Sequence, residues 1–178
     1  MSRPLPVLIT ADQIDRRVGE LAEQIAPLYR GKPLTIVGVL TGSMIFLSDL
    51  MRRLDGPLRI GLIQASSYRG TQSGALQVDR ELQADVRGRH VLLLDDILDT
   101  GQTLRHLLGQ LRELEPLSVR VAVLLRKQGK QRFDVSVDFV GFEIPDEFVV
   151  GYGLDYNDEY RHLPHVAVLP REMYSENR

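Results

Sequence analysis

The sequence predicts an α/β protein: an open, mainly parallel twisted sheet flanked by helices, with a small C-terminal β-rich hood. Three observations point there. Apolar runs of strand length alternate with segments of helical period from Thr10 to Lys127, and such alternation implies a parallel sheet covered by helices on both faces. The run "VLLLDD" (91–96) begins apolar on both faces, as a strand buried inside such a sheet must be. After Lys127 the pattern changes to short strands and turns, and most of the tyrosines and phenylalanines lie there.

Thr10 followed by Gln13 matches a capping box, and Ile14, Val18, Leu21, Ile25 and Leu28 then recur at spacings of four and three, predicting an amphipathic helix with one buried face. "LTIVGVL" (34–40) is a β-branched apolar run; the turn Thr41-Gly42-Ser43 follows, then Leu47, Leu50, Met51 and Leu54 at helical spacing. "RIGLIQASSY" (59–68) predicts another strand, and the polar "RGTQSG" after it has no apolar face to bury, which predicts a mobile loop. "HVLLLDD" is the next strand and "TGQTLRHLLGQLREL" the next helix, closed by Glu115-Pro116. "SVRVAVLLRK" is the strand after that, and "DFVGFEIP", "FVVGYGLDY" and "HVAVLP" supply the short strands of the hood.

A length of 178 residues with 43% hydrophobic content suits a single domain over 1–178, its core at about 30–130 and its hood made by the N-terminal segment and about 131–178. With 22 Lys plus Arg against 24 Asp plus Glu, neither nucleic acid nor a membrane surface is expected as a partner, although a small discrete anion fits. The absence of cysteine excludes disulfides, thiol nucleophiles and thiolate zinc sites. "MSRPLPVLIT" has no signal-type apolar region, so the expected location is cytoplasmic.

Ligands of parallel α/β sheets bind outside the carboxyl ends of the strands, and Asp95, Asp96 and Thr41 to Ser43 all fall at such ends. Asp99, Thr100, Gly101 and Thr103 stand where a strand hands over to a helix. There free backbone N–H groups and two hydroxyls form an anion cradle that fits a phosphate monoester. No GxxxxGK[ST] occurs and position 102 is Gln, so a nucleoside triphosphate loses its main support. Asp95 and Asp96 on an extended chain would face opposite ways, either one able to accept from vicinal hydroxyls or to approach a metal. The same residues would also serve as a helix cap (Asp99 or Thr100) and a solvated strand end.

"VLLLDDILDTGQTL" (91–104) resembles the motif with which type I phosphoribosyltransferases bind 5-phosphoribosyl-1-pyrophosphate: a strand and two acids before a D-T-G-x-T loop. With "LTGS", "ASSY" and "DFVGFEIPDEFVVGYGLDYNDEYRHLP", the likeness runs in matching order from about Val7 to about Leu169 and is similar to the branch acting on hypoxanthine and guanine. The resemblance implies the type I phosphoribosyltransferase fold and a purine-salvage transfer that gives IMP or GMP and pyrophosphate. It implies a 5′-phosphate in the loop Asp99, Thr100, Gly101, Gln102 and Thr103, ribose hydroxyls on Asp95 and Asp96, and Asp99 as general base or acid at N7 of the purine. Pyrophosphate would bind to backbone amides of Leu40, Thr41, Gly42 and Ser43, in a turn often built with a non-proline cis peptide, and to Arg161. Lys127 would donate to O6, Phe148 would stack on the base, the backbone of Val149 would read its edge, and Asp155 would lie near the base and the metal. Two Mg²⁺ ions are implied, near Asp95, Asp96 and Asp155 but held mostly by substrate oxygens and water. Ser67 and Tyr68 would ride on a closing lid loop. A homodimer or homotetramer is implied as well.

The sequence departs from that family at Thr41, where a basic residue is common, at Asp95, where Glu is usual, and at Gln102, where many relatives carry Lys. These touch affinity and leave the acid–base group alone. Two rival readings are a regulator that keeps the fold but binds RNA, against which the near-neutral charge and the retained Asp99 argue, and a transferase preferring xanthine.

Overall fold

The computed structural model describes residues 4–64 and 86–174. In chain order the elements are β1 (Val7–Ile9), α1 (Ala11–Tyr29), β2 (Leu34–Leu40), α2 (Met44–Met51), β3 (Leu58–Gln64), β4 (His90–Leu98), α3 (Gln102–Glu113), β5 (Ser118–Lys127), β6 (Phe139–Ile144), β7 (Val149–Val150), β8 (Val166–Val168) and a 3₁₀ turn at Arg171–Met173. Five strands pair in the order β3-β2-β4-β5-β6, every neighbouring pair parallel. A separate sheet of three strands, β1-β8-β7, is antiparallel.

The helices cover both faces of the parallel sheet, as the alternation predicts. On one face Ile14, Leu21, Ile25, Phe46 and Leu50 from α1 and α2 pack against Ile36, Leu92, Leu94 and Leu124. On the other, Leu104, Leu107 and Leu111 from α3 pack against Val37, Val39, Val91, Leu93 and Val121. Alternate residues of β2 and β4 therefore feed two cores, which is why those strands read as unbroken apolar runs. The small sheet joins the first core through Ile9, Val149 and Val166. Arg17 ties α1 to the edge strand β6, donating to the carbonyls of Gly141 and Val140 at 2.8 and 2.9 Å.

Two local expectations change, and a third lies partly outside the described residues. The capping box at Thr10 and Gln13 forms, but the last buried position of α1 is Tyr29, with Leu28 only half-buried, because the helix drifts against a strict four-and-three spacing. β3 covers Leu58–Gln64; the rest of the strand expected at 59–68 and the loop "RGTQSG" lie outside the described residues. β4 runs through both acids to Leu98, held by β5, whose Leu125 and Arg126 pair with Ile97 and Leu98. Asp95 and Asp96 are thus inside a strand and not at its end.

This topology sets the site. The chain leaves β2 for β3 on one side, then returns to β4 on the other, so the strand order reverses between β2 and β4. At such a switch point the loops after the two strands diverge and leave a crevice. Those loops are 41–43 and 99–101.

Candidate functional site

A cleft of about 690 Å³ opens at the switch point. It is lined by Leu40, Thr41 and Gly42 after β2, by Asp95 through Thr103 along β4 and its loop, and by Asp155, Asp158 and Arg161 from the late segment. A second cavity of about 210 Å³, lined by Lys127, Phe148, Val149 and Leu154, shares Asp96, Ile97, Asp99 and Asp155 with the first. The fold therefore brings the sequence-predicted residues together, with two exceptions. Ser67 and Tyr68 lie outside the described residues. Ser43 is fully buried and outside the cleft lining; its N–H and its hydroxyl both go to the Val39 carbonyl, at 3.3 and 2.6 Å, so it holds the turn shut from behind.

The loop after β4 has the geometry of an anion cradle. Gly101 is the N-cap of α3 with φ 86°, a left-handed conformation natural to glycine. Gly101 has no side chain to cap the helix; the loop's only such contact among the described residues is a long one, the Thr100 hydroxyl accepting from the Gln102 N–H at 3.4 Å, and Asp99 makes none, so the start of α3 is open to an anion. The loop is braced from behind, where the Thr100 carbonyl accepts from the N–H groups of Arg132 and Phe133 at 3.0 and 3.1 Å. That brace gives no signal in the sequence, since "KQRFD" reads as an ordinary turn.

Asp95 and Asp96 both line the cleft, in place of the opposite-facing arrangement expected of adjacent strand residues. Asp95 is 6% exposed, and its Oδ1 accepts from the Asp96 N–H at 3.0 Å while Asp96 Oδ1 accepts from Ile97 N–H at 2.9 Å. Each carboxylate is bent back onto the chain, which turns both toward one space. Burial pushes both carboxyls above the ordinary carboxylate range; the Asp96 charge pushes Asp95 further, whereas hydrogen bonds and Arg161 pull Asp96 partly back. A buried acidic pair of this kind is made to meet something electropositive or hydroxylated.

The linkage gives a stability prediction. Asp95 binds its proton more tightly folded than unfolded, so its contribution to stability is full below the unfolded carboxylate pKa and is lost as pH rises from there through the folded value. At pH 7.5 Asp95→Asn should raise the melting temperature of the ligand-free protein by about 2–4 °C, the shift expected for ~1 kcal/mol at this length. The gap from wild type should close only below about pH 4, the range in which the unfolded carboxyl is protonated too. Equal or lower melting temperatures at pH 7.5 would remove burial strain from the account.

Gly42 shows why the turn after β2 cannot carry a side chain: a Cβ there would run into the Asp96 carboxylate. The Leu40–Thr41 peptide is cis. Gly153 approaches from the other side, where a Cβ would collide with the Gly42 carbonyl. Gly42→Ala should therefore push Asp96 or the turn aside and weaken a ligand spanning both, by roughly 10- to 100-fold. An unaltered affinity for such a ligand would show that it does not reach the turn.

Arg161 is anchored by Gly153, whose carbonyl accepts from Nη1 at 2.8 Å, and Nη2 reaches Asp155 at 2.8 Å and Asp158 at 3.0 Å. Asp158, exposed and unremarked in the sequence reading, closes this cluster, and its N–H donates to Asp155 at 2.9 Å. In the second cavity Lys127, only 12% exposed, places Nζ at 3.2 Å from Asp99 Oδ2 and at 3.6 Å from Asp146 Oδ1. Phe148 is stacked on Tyr174 with centroids 4.9 Å apart and meets the edge of Tyr156 at 5.7 Å. A donor, an acceptor and an aromatic ring thus surround a space of flat-ligand size. Among the described residues no group of three acidic or imidazole side chains converges into a metal cage. The Asp95–Asp96 pair still offers the oxygen donors that a hard divalent cation accepts.

Residues 10–157 match the family model described as the phosphoribosyl transferase domain. The chain is 42% identical over 171 residues to a hypoxanthine-guanine phosphoribosyltransferase of Staphylococcus aureus strain Mu50, covering 95% of this chain and 96% of that one. It is 40% identical to the enzyme of the same name from Streptococcus pneumoniae strain R6, covering 95% of each. A solved hypoxanthine phosphoribosyltransferase variant from Trypanosoma cruzi, complexed with the product IMP, superposes with a TM-score of 0.89 at 36% identity, covering 99% of this chain and 97% of that one.

Proposed function

The chain belongs to the phosphoribosyl transferase family and is a pentosyltransferase of purine salvage, and from that premise we propose how its residues share the reaction. The substrates are 5-phosphoribosyl-1-pyrophosphate and hypoxanthine or guanine, and the products are IMP or GMP and pyrophosphate. One observation carries the assignment: Lys127 and Asp99 line the smaller cavity as a donor and an acceptor 3.2 Å apart, and Asp99 also lines the larger cleft. On a 6-oxopurine the O6 acceptor and N7 are neighbours on one edge. An ammonium facing O6 and a carboxylate facing an N7 proton match that edge in both sense and spacing.

The larger cleft takes the sugar phosphate. The cradle Asp99 to Thr103 holds the 5′-phosphate, Asp95 and Asp96 accept from the ribose hydroxyls, and Leu40 to Gly42 with Arg161 hold the pyrophosphate. Phe148 and the backbone of Val149 seat the base. As the C1′–O bond to pyrophosphate breaks, N9 of the base bonds to C1′, and Asp99 takes the N7 proton. The carboxylates under the ribose stabilise the positive charge that develops on its ring. Mg²⁺, which we propose near Asp95, Asp96 and Asp155, fits these oxygen donors and would neutralise charge on the departing pyrophosphate.

We place all 178 residues in one domain, working as a homodimer or homotetramer in the cytoplasm. No helix among the described residues is long and apolar enough to cross a membrane. The test is product identification: with phosphoribosyl pyrophosphate and Mg²⁺, labelled hypoxanthine should become IMP with stoichiometric release of pyrophosphate. Consumption of hypoxanthine without IMP, or none at all, would contradict the reading.

A further inference from the structure

The turn after β7 carries a buried tyrosine that the reaction, as described, does not use. Tyr152 is 6% exposed and has φ 50°, an uncommon conformation for a residue with a ring. Its hydroxyl donates to Oδ2 of Asp49 on α2 at 2.6 Å. Burial holds the phenol above its ordinary range and the Asp49 charge pushes the same way, so it stays a donor.

Both ends of this hydrogen bond lead into the site. Asp49 belongs to α2, the helix that starts at Met44, just after the Gly42 turn. Tyr152 adjoins Gly153, whose N–H donates to the Arg161 carbonyl at 3.0 Å and whose carbonyl accepts from Arg161 Nη1 at 2.8 Å. Gly153 also packs so closely on the Gly42 carbonyl that no Cβ fits between them. The Tyr152–Asp49 bond thus helps to fasten the segment that anchors Arg161 to the helix that continues the Gly42 turn.

We infer that Tyr152 is a positioning residue for the leaving group: through Asp49 it fixes the gap between the Leu40–Gly42 turn and Arg161, and so sets affinity for pyrophosphate while leaving purine recognition alone. The inference rests on the pyrophosphate assignment proposed above. The purine-side residues Lys127 and Asp99 take their own support from each other, which is why the two affinities should separate.

The experiment is calorimetric titration of the full chain with magnesium pyrophosphate and, separately, with GMP. Tyr152→Phe keeps the ring and removes only the donor; it should weaken pyrophosphate roughly 5- to 50-fold, a hydrogen bond to a charged group being at stake, with GMP affinity unmoved. Asp49→Asn keeps an acceptor oxygen and should retain near-wild-type pyrophosphate affinity, whereas Asp49→Leu should behave like Tyr152→Phe. Equal losses for pyrophosphate and GMP in Tyr152→Phe would reduce Tyr152 to a structural tie and overturn the proposal. So would an unaltered pyrophosphate affinity in Tyr152→Phe if Arg161→Ala loses it. An Arg161→Ala variant that still binds pyrophosphate as wild type does would overturn the underlying assignment itself.

Discussion

Asp99→Asn should lower kcat by roughly 10²- to 10⁴-fold, the range for a positioned acid–base group, while the protein folds and binds phosphoribosyl pyrophosphate much as before. The structure makes this a clean substitution. Asp99 does not cap α3, since Gly101 holds the N-cap position and the hydroxyl that accepts from the first turn belongs to Thr100, so helix stability is not at stake. Asparagine keeps an oxygen for Lys127 Nζ, which lies 3.2 Å from the carboxylate. What goes is the capacity to accept the N7 proton. Single-turnover measurement of IMP formation isolates the chemical step, and a rate close to wild type there would remove Asp99 from catalysis.

Lys127→Ala should depress kcat/KM for hypoxanthine and guanine by roughly 10²-fold, the worth of a buried hydrogen bond from a charged donor, while moving the low activity with adenine little. Lys127 is a donor-only ammonium, 12% exposed, so an amino group at C6 meets it donor to donor. Its removal also frees Asp99 of a counter-charge and leaves Asp146 to pair with Lys130 at 2.8 Å. The ratio of 6-oxopurine to 6-aminopurine activity should therefore narrow from the oxopurine side. If the ratio in the variant matches wild type, Lys127 does not read the base, and the second cavity needs another occupant.

Much of this fold is legible because its signals are local. The capping box at Thr10 and Gln13, the doubly apolar run of β4, and the D-T-G-x-T turn each state their conformation within a few residues. The residues of the cradle are legible for the same reason. What escapes is the partner of each element. The N-terminal segment is expected in the hood, but its pairing of β1 with β8, Val7 opposite Ala167, is not legible, since nothing in a three-residue strand names its neighbour. The requirement for glycine at 42 comes from the Asp96 carboxylate brought in by another strand. The extension of β4 through Asp95 and Asp96 to Leu98 defeats a reading in which adjacent carboxylates end a strand, because pairing with β5 overrides the local preference. Nothing around Tyr152 in the sequence marks Asp49 as its partner, and only the fold shows that its hydroxyl finds that carboxylate.

The central claim is that Asp99 and Lys127 together read the N7 and O6 edge of the base, and one steady-state panel tests it most directly: kcat/KM for hypoxanthine, adenine and 7-deazahypoxanthine with saturating phosphoribosyl pyrophosphate and Mg²⁺. Adenine lacks the O6 acceptor and 7-deazahypoxanthine lacks N7, so each removes one half of the matched edge. Hypoxanthine should exceed adenine by about 10⁴-fold, since a site built around a buried hydrogen bond rejects an analogue that leaves it unpaired. The deaza base should be turned over at least about 10²-fold more slowly, by the loss of the proton transfer. Adenine or the deaza base used as readily as hypoxanthine would contradict the account.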